Sequence, residues 1–418
     1  MKRKLTRREF MRVTALATVG TAAAACGAPM PAPTEEPEAP AEEEEAPPEE
    51  EEEPATPESK YQEAPMLAEL VAAGELPPVD ERLPENPWVC PMAESVGKYG
   101  GTIRRGFNGV SDRWGPTKHI DRFLVWYDQA LVLQPRVLES WELSDDAMTW
   151  TLHLRKGMKW SDGADFNSEA FTWYYEYVAQ NEELSPSPPS KLCTRDESGN
   201  KVLCEMEAPD DYTVVLKFAH PNPMWHYSVA RDIGGVVAPG QHMAQYHIEL
   251  VDDPEALEAE AVETGLNSWT EYYEDRNWWY LNRDRPLFGG WLAKNALSEE
   301  LFIMERNPYF FGVDPDGKQL PYLDTVTHRL YESLEVFNMW IVNGEIDFQN
   351  RHVNIANYSL FKENEENGDY QVYLGASAGH TCLQPNHATK DDRLREFFQD
   401  RNVRLAMSYA VNRVEMNE

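Results

Sequence analysis

The sequence predicts an α/β fold, and three observations carry that expectation. Apolar residues recur with period two over Thr149–Leu154, where Trp150, Leu152 and Leu154 share a face, and over Thr213–Phe218, where Val214, Leu216 and Phe218 do. Between these runs the period changes to helical, with Phe171, Tyr174, Tyr175 and Val178 at i, i+3, i+4 and i+7. The two kinds of run interleave irregularly, as they do in α/β or α+β proteins. The foldable part, roughly 360 residues, is long enough for more than one domain.

The front of the chain is an address. Residues 1–26, MKRKLTRREFMRVTALATVGTAAAAC, set a basic start before a mildly apolar run from Val13 to Ala25. Spanning a bilayer takes about 20 apolar residues, so this short run rich in Ala, Thr and Gly reads as a secretory signal. Thr6-Arg7-Arg8-Glu9-Phe10-Met11-Arg12 resembles the twin-arginine export motif, and Ala23-Ala24-Ala25-Cys26-Gly27 resembles a bacterial lipobox. The second resemblance implies that Cys26 is lipidated and begins the mature chain. Both imply an extracytoplasmic lipoprotein, in the periplasm or at the outer face of the cytoplasmic membrane. Residues 27–60 contain thirteen Glu among Pro and Ala, with one Lys. Like charges and proline forbid a packed structure, which predicts a disordered tether with a reach on the order of 100 Å.

The charge excludes several partners. Lys and Arg number 38 against 72 Asp and Glu, a formal charge of -34. Setting aside the net +5 of residues 1–26 and the net -12 of residues 27–60 leaves -27 on residues 61–418. A body so acidic repels nucleic acid and anionic lipid surfaces. Membrane contact is therefore expected only through the lipid anchor.

Beyond Cys26 stand Cys90, Cys193, Cys204 and Cys382. An even count in an exported chain favours disulfides. Cys193 and Cys204 flank a turn-rich stretch, Thr194 to Asn200, and are candidates for a bridge across one hairpin; Cys90 with Cys382 would be the remaining pair. Three connectivities stay open. Without a Cys-x-x-Cys spacing, zinc and thiol-redox roles have little support.

Local signals place the elements. Trp141–Ser144, a turn at Asp145-Asp146 and Thr149–Leu154 predict a hairpin. Ser168 is a candidate cap for the helix carrying Phe171, Asp253-Pro254 opens an acidic helix that Gly265 closes, and Asn402 is a candidate cap for a last helix bearing Val403, Ala406, Met407, Ala410 and Val411. That helix meets no Gly, Pro or capping signal before Glu418, which predicts a chain cut short within a domain.

No phosphate loop, dinucleotide fingerprint or Gly-x-Ser-x-Gly elbow is present. His242 and His247 are five apart and do not share a helix face, and His220 and His226 sit beside Pro221 and Pro223, so no metal site is expected. Neither enzymatic activity nor a cofactor is expected. The aromatic content stands out instead: thirteen Trp and nineteen Tyr, with runs at Trp126-Tyr127, Trp173-Tyr174-Tyr175 and Trp278-Trp279-Tyr280. Such side chains suit the binding of peptides or sugars by stacking, although most must serve the core.

Motifs in a fixed order then resemble one family. Gln134-Pro135-Arg136-Val137-Leu138-Glu139-Ser140-Trp141-Glu142 and Leu154-Arg155-Lys156-Gly157-Met158-Lys159-Trp160-Ser161-Asp162-Gly163 resemble family 5 extracellular solute-binding proteins of ABC importers. Arg306-Asn307-Pro308-Tyr309-Phe310, Gly344-Glu345-Ile346-Asp347 and the stretch Asn402 to Arg413 agree in order, so the resemblance runs from Tyr99 to Asn417. The family's Gly-Thr-Gly-Pro-Tyr is only partly kept, as Phe288-Gly289-Gly290-Trp291. The resemblance implies a two-lobe, type II periplasmic-binding-protein-like fold. Residues 61–350 would form the first lobe, and 351–418 would begin a second lobe that is incomplete. It implies a monomer that captures peptides between its lobes and delivers them to an ABC permease, with oligosaccharide the alternative ligand. Trp126, Tyr127 and Asp128 precede the first motif and are candidate ligand contacts; a core role competes for Trp126 and Tyr127. From a different class, a secreted hydrolase acting through paired carboxylates competes with the whole reading.

Overall fold

The period-two runs form neighbouring strands of one four-stranded sheet, and the computed structural model holds a second four-stranded sheet as well. It describes residues 59–120, 123–230, 235–375 and 382–417. The signal segment with Cys26, and the tether up to residue 58, lie outside the described residues.

In chain order come β1 (Trp88–Val89), β2 (Thr102–Phe107), β3 (Val125–Tyr127), β4 (Leu133–Pro135), β5 (Leu138–Leu143) and β6 (Thr149–Leu154). Then follow β7 (Cys193–Arg195), β8 (Lys201–Leu203), β9 (Glu205–Asp210) and β10 (Thr213–Lys217). The last group is β11 (Trp291–Ala293), β12 (Leu301–Arg306), β13 (Gly312–Val313) and β14 (Thr325–Leu330). One sheet runs β5-β6-β10-β9 and is antiparallel throughout. Its inner face carries the predicted Trp150, Leu152, Leu154, Val214 and Leu216, all buried. The expected turn at Asp145-Asp146 joins β5 to β6, with Asp146 Oδ1 accepting from the Met148 N–H at 3.0 Å. The other sheet runs β11-β12-β14-β2, and its β14–β2 pair is parallel.

Seven helices matter for the site. They are α1 (Trp114–Thr117), α2 (Glu169–Tyr174), α3 (Pro254–Glu263), α4 (Trp269–Asn277), α5 (Leu334–Val342), α6 (Asp392–Gln399) and α7 (Arg401–Ala410). Asp253 caps α3 as expected, accepting from the Ala256 N–H, and Gly265 follows the helix with φ +86°. Two predicted caps move. Ser168 is itself helical and spends its hydroxyl on the Asp210 carbonyl, while Asn167 Oδ1 accepts the Glu169 N–H at 3.0 Å. Asp400, and not Asn402, caps α7. That helix stops at Ala410, where Val411 turns extended, so it does not run on to Glu418. The predicted helical face is inward: Phe171 and Val178 are buried, and Tyr174 and Tyr175 pack half-buried against the core, although the turn Tyr175–Ala179 is a π-turn; Trp173 is buried as well.

The family-like motifs hold joints together. Asn307 is fully buried, donates to the Gly289 carbonyl at 2.8 Å and accepts the Tyr309 N–H at 2.9 Å. Asp347 accepts from the Arg104 Nε at 3.0 Å and from its backbone N–H at 2.6 Å, fastening the segment after α5 to β2. Residues 353–372 pack through Phe361, with Val353, Tyr370 and Val372, against Phe337, Trp340 and Ile341 of α5.

The expected Cys193–Cys204 bridge is not formed: both are free thiols. The hairpin itself is present, but Cys193 pairs in register with Leu203, and the Cys204 N–H bonds Leu192. Cys204 lies one residue past the end of β8, so the two cysteines are not a facing pair of the hairpin.

Candidate functional site

The segment after β2 builds the first wall of a cavity. Gly109, at φ +115°, redirects the chain into a single 3-10 turn, and α1 then presents Arg113, Trp114 and Thr117. Trp114 is 55% exposed, and the Arg113 guanidinium lies 5.5 Å from its ring centroid. Among the described residues no carboxylate pairs with Arg113.

The second wall follows α4. At Trp278 the backbone leaves the helix and turns, which leaves Trp278 45% exposed and buries Trp279 and Tyr280. The Trp278 and Tyr280 rings stack at 5.9 Å. Asn282 Nδ2 donates to the Trp278 carbonyl at 3.0 Å and steadies the turn. Arg285 is held by Asn277, its Nε donating to Oδ1 at 3.0 Å. Tyr174, Val237 and Ala238 come from the side of the antiparallel sheet, and Trp160 packs edge-on against Phe288 at 5.5 Å beneath them. The enclosed volume is about 260 Å³. That is close to the lower end of ligand pockets, and it suits one ring or one side chain of a larger solute.

The cavity joins exposed indole faces to fixed cations. None of the described residues that line it is acidic, in a chain where acids dominate. Burial pushes the Tyr174 phenol up to about 12, so it stays a neutral hydrogen-bond donor and acceptor. The Tyr280 phenol is raised as well, by burial, against the opposing pull of the Arg113 charge. Nothing here forms a nucleophile–base pair. Among the described residues no group of three His, Cys, Asp or Glu is placed to hold a metal ion.

The residues singled out from the sequence lie elsewhere. Trp126, on β3, is 39% exposed and stacks on Phe123 at 4.4 Å; Tyr127 faces Tyr227 at 6.4 Å. Asp128 shapes the β3–β4 turn: Oδ1 accepts the N–H groups of Ala130 and Val132, and Oδ2 accepts from Gln134, all at 2.9 Å. The Val132 N–H leads these bonds in holding its carboxyl below the usual range. None of the three lines the cavity. Of the cavity's own residues, the sequence signalled Trp278, Trp279, Tyr280 and Tyr174 through their aromatic runs, and Trp160 and Phe288 through the family-like motifs.

This architecture is a type II periplasmic-binding-protein fold. A solved structure of an oligopeptide-binding protein OppA superposes with a TM-score of 0.71 at 36% identity, covering 86% of this chain and 57% of that one. The periplasmic binding protein MelB from Agrobacterium fabrum C58, solved with stachyose, superposes at 0.57 with 26% identity, covering 73% and 45%. Among curated proteins, the periplasmic alpha-galactoside-binding protein of Rhizobium meliloti is 30% identical over 298 residues, 65% of this chain and 39% of that protein. The chain thus spans well under two thirds of the relatives it matches. The model for bacterial extracellular solute-binding proteins, family 5 Middle, matches residues 132–418. The chain belongs to that family.

Proposed function

We propose that this protein is the extracytoplasmic solute-binding component of an ABC importer. It captures peptides between two lobes and hands them unchanged to a membrane permease. The observation that carries the reading is a cavity walled by exposed indoles in a chain of family 5. The 36% identical OppA structure supports peptide as the ligand. In this reading residues 61–350 are the first lobe and 351–418 open the second. The chain leaves the cell by the twin-arginine route, Cys26 carries the lipid, and residues 27–60 hold the body away from the membrane. The protein acts as a monomer without cofactor or catalysis. Trp126, Tyr127 and Asp128, apart from this cavity, are further candidate ligand contacts. Capture then follows from differential affinity, because the ligand favours the state in which both lobes touch it.

Oligosaccharide is a second reading, favoured by the alpha-galactoside-binding relative, the MelB complex with stachyose and the exposed faces of Trp114 and Trp278. Titration calorimetry with tripeptides and with stachyose, followed by recovery of the ligand, tests both. Saturable binding with intact ligand is expected. Turnover of the ligand would replace this reading with a hydrolase.

A further inference from the structure

We propose that the cavity between α1 and the Trp278–Tyr280 turn is a subsite for an acidic sugar ring, a pyranose bearing a carboxylate. The proposal rests on the oligosaccharide reading of the solute-binding function and specifies what this cavity accepts.

Charge points to an anion. The buried Arg105 and Arg155 are held by uncharged groups, the side chains of Gln349 and His119 and the carbonyls of Arg136 and Asn86. Arg82, Arg306 and Arg351 each have a carboxylate, Glu63, Asp324 and Asp112. Arg113 has none among the described residues, although it lines a cavity and lies over the Trp114 ring. A guanidinium partly withdrawn from water and left unpaired is costly, and an arriving carboxylate restores its partner in a two-point geometry. Arg285, whose Nε donates to Asn277, lies in the same lining.

Shape and polarity point to a sugar ring. A pyranose offers a face of C–H groups to an aromatic plane and hydroxyls around its rim. Trp114 and Trp278 give the exposed planes. Thr117, the neutral Tyr174 phenol and the Asn277 side chain give uncharged partners for hydroxyls. No described lining residue offers the negative charge that a peptide's amino terminus would seek. The volume of about 260 Å³ takes one ring, leaving the remainder of a longer ligand outside.

The test compares three probes on the full chain by titration calorimetry: digalacturonate, the neutral disaccharide galactobiose and trialanine. Digalacturonate is expected to bind more tightly than galactobiose and to weaken as salt rises. Arg113→Gln should weaken digalacturonate at least tenfold and leave galactobiose within twofold. Trp278→Ala should weaken both sugars together, which separates the stacking role from the charge. Thermal midpoints of both variants report that the fold is intact. Equal affinity for the two sugars, or an Arg113→Gln variant that binds digalacturonate as the parent does, would overturn the acidic-sugar subsite while leaving solute binding standing. Arg113-dependent binding of trialanine in preference to digalacturonate would reassign the subsite to a peptide carboxylate and overturn the sugar. Binding of none of the three would sink the subsite, and absence of binding to tripeptides and stachyose as well would sink the solute-binding reading beneath it.

Discussion

Asp112 and Arg351, 239 positions apart, meet through a hydrogen bond of 2.6 Å from Nε to Oδ1. The other carboxylate oxygen takes His352 Nε2 at 2.8 Å. The Asp112 side chain is 2% exposed, whereas its two partners reach the surface. One buried carboxylate thus ties the loop that bears Arg113 and Trp114 to the segment that follows α5 and Gln349. Asp112→Asn keeps the shape and removes the charge. It is expected to cost about 2–3 kcal/mol, since the Arg351 guanidinium loses its buried charged partner. An unchanged urea midpoint would show that the pair contributes nothing net.

A second expectation concerns acid. Burial lowers His328 to about 2 and His119 to about 4, and the Arg105 charge adds to the lowering of both. In the unfolded chain each histidine takes up a proton near pH 6.5, while in the native protein both stay neutral. Stability is therefore expected to fall as pH drops from about 6.5 toward 4, each group costing about 2 kcal/mol by pH 5. Neither ring nitrogen of His328 has a hydrogen-bond partner among the described residues, and its ring lies beside Phe302. His328→Leu should therefore raise the melting temperature at pH 7 and shrink the drop between pH 7 and pH 5. An identical drop in parent and variant would contradict this account.

Gly344 has φ +70°, and an added Cβ would collide with the Gly368 carbonyl oxygen. Neither backbone moves freely, because Gly344 closes α5 and Gly368 lies in the stretch packed against that helix through Phe361. Gly344→Ala is expected to cost about 3 kcal/mol or more, from left-handed strain and overpacking together. Calorimetric unfolding measures it, and a loss below 1 kcal/mol would be inconsistent with the packing described.

The thiols should differ in reactivity. Burial pushes Cys204 up to about 12 and raises Cys193 less, while Cys382 is exposed. A thiol reagent at pH 8 is expected to modify Cys382 first, Cys193 slowly and Cys204 only on unfolding. Peptide mapping reads the order. A bridged Cys193–Cys204 peptide in non-reduced protein would overturn the register argument.

The readable parts of the fold were those where one chemistry dominated a short window. Trp150, Leu152 and Leu154 alternate because one face of their sheet is dry, and Asp253-Pro254 caps because proline restricts the alternatives. The caps at Ser168 and Asn402 were misplaced by one or two residues, since Asn167 and Asp400 bring equally able oxygens. Asp128 was legible as a functional-looking carboxylate but serves its own turn. The cavity was not legible, because its walls come from residues 113–117, 174, 235–238 and 277–288, which only tertiary packing brings together.

The parallel pairing of β2 with β14 has a kinetic side. Thr102 and Thr325, 223 positions apart, face each other across that pair. Closing a loop of that length costs about 5 kcal/mol of chain entropy before any contact between the strands repays it. The β5-β6-β10-β9 sheet, made of near neighbours, has no such wait. During folding it is the element that can assemble first, and the wall carrying Arg113 and Trp114 is set only when β14 arrives to complete the second sheet.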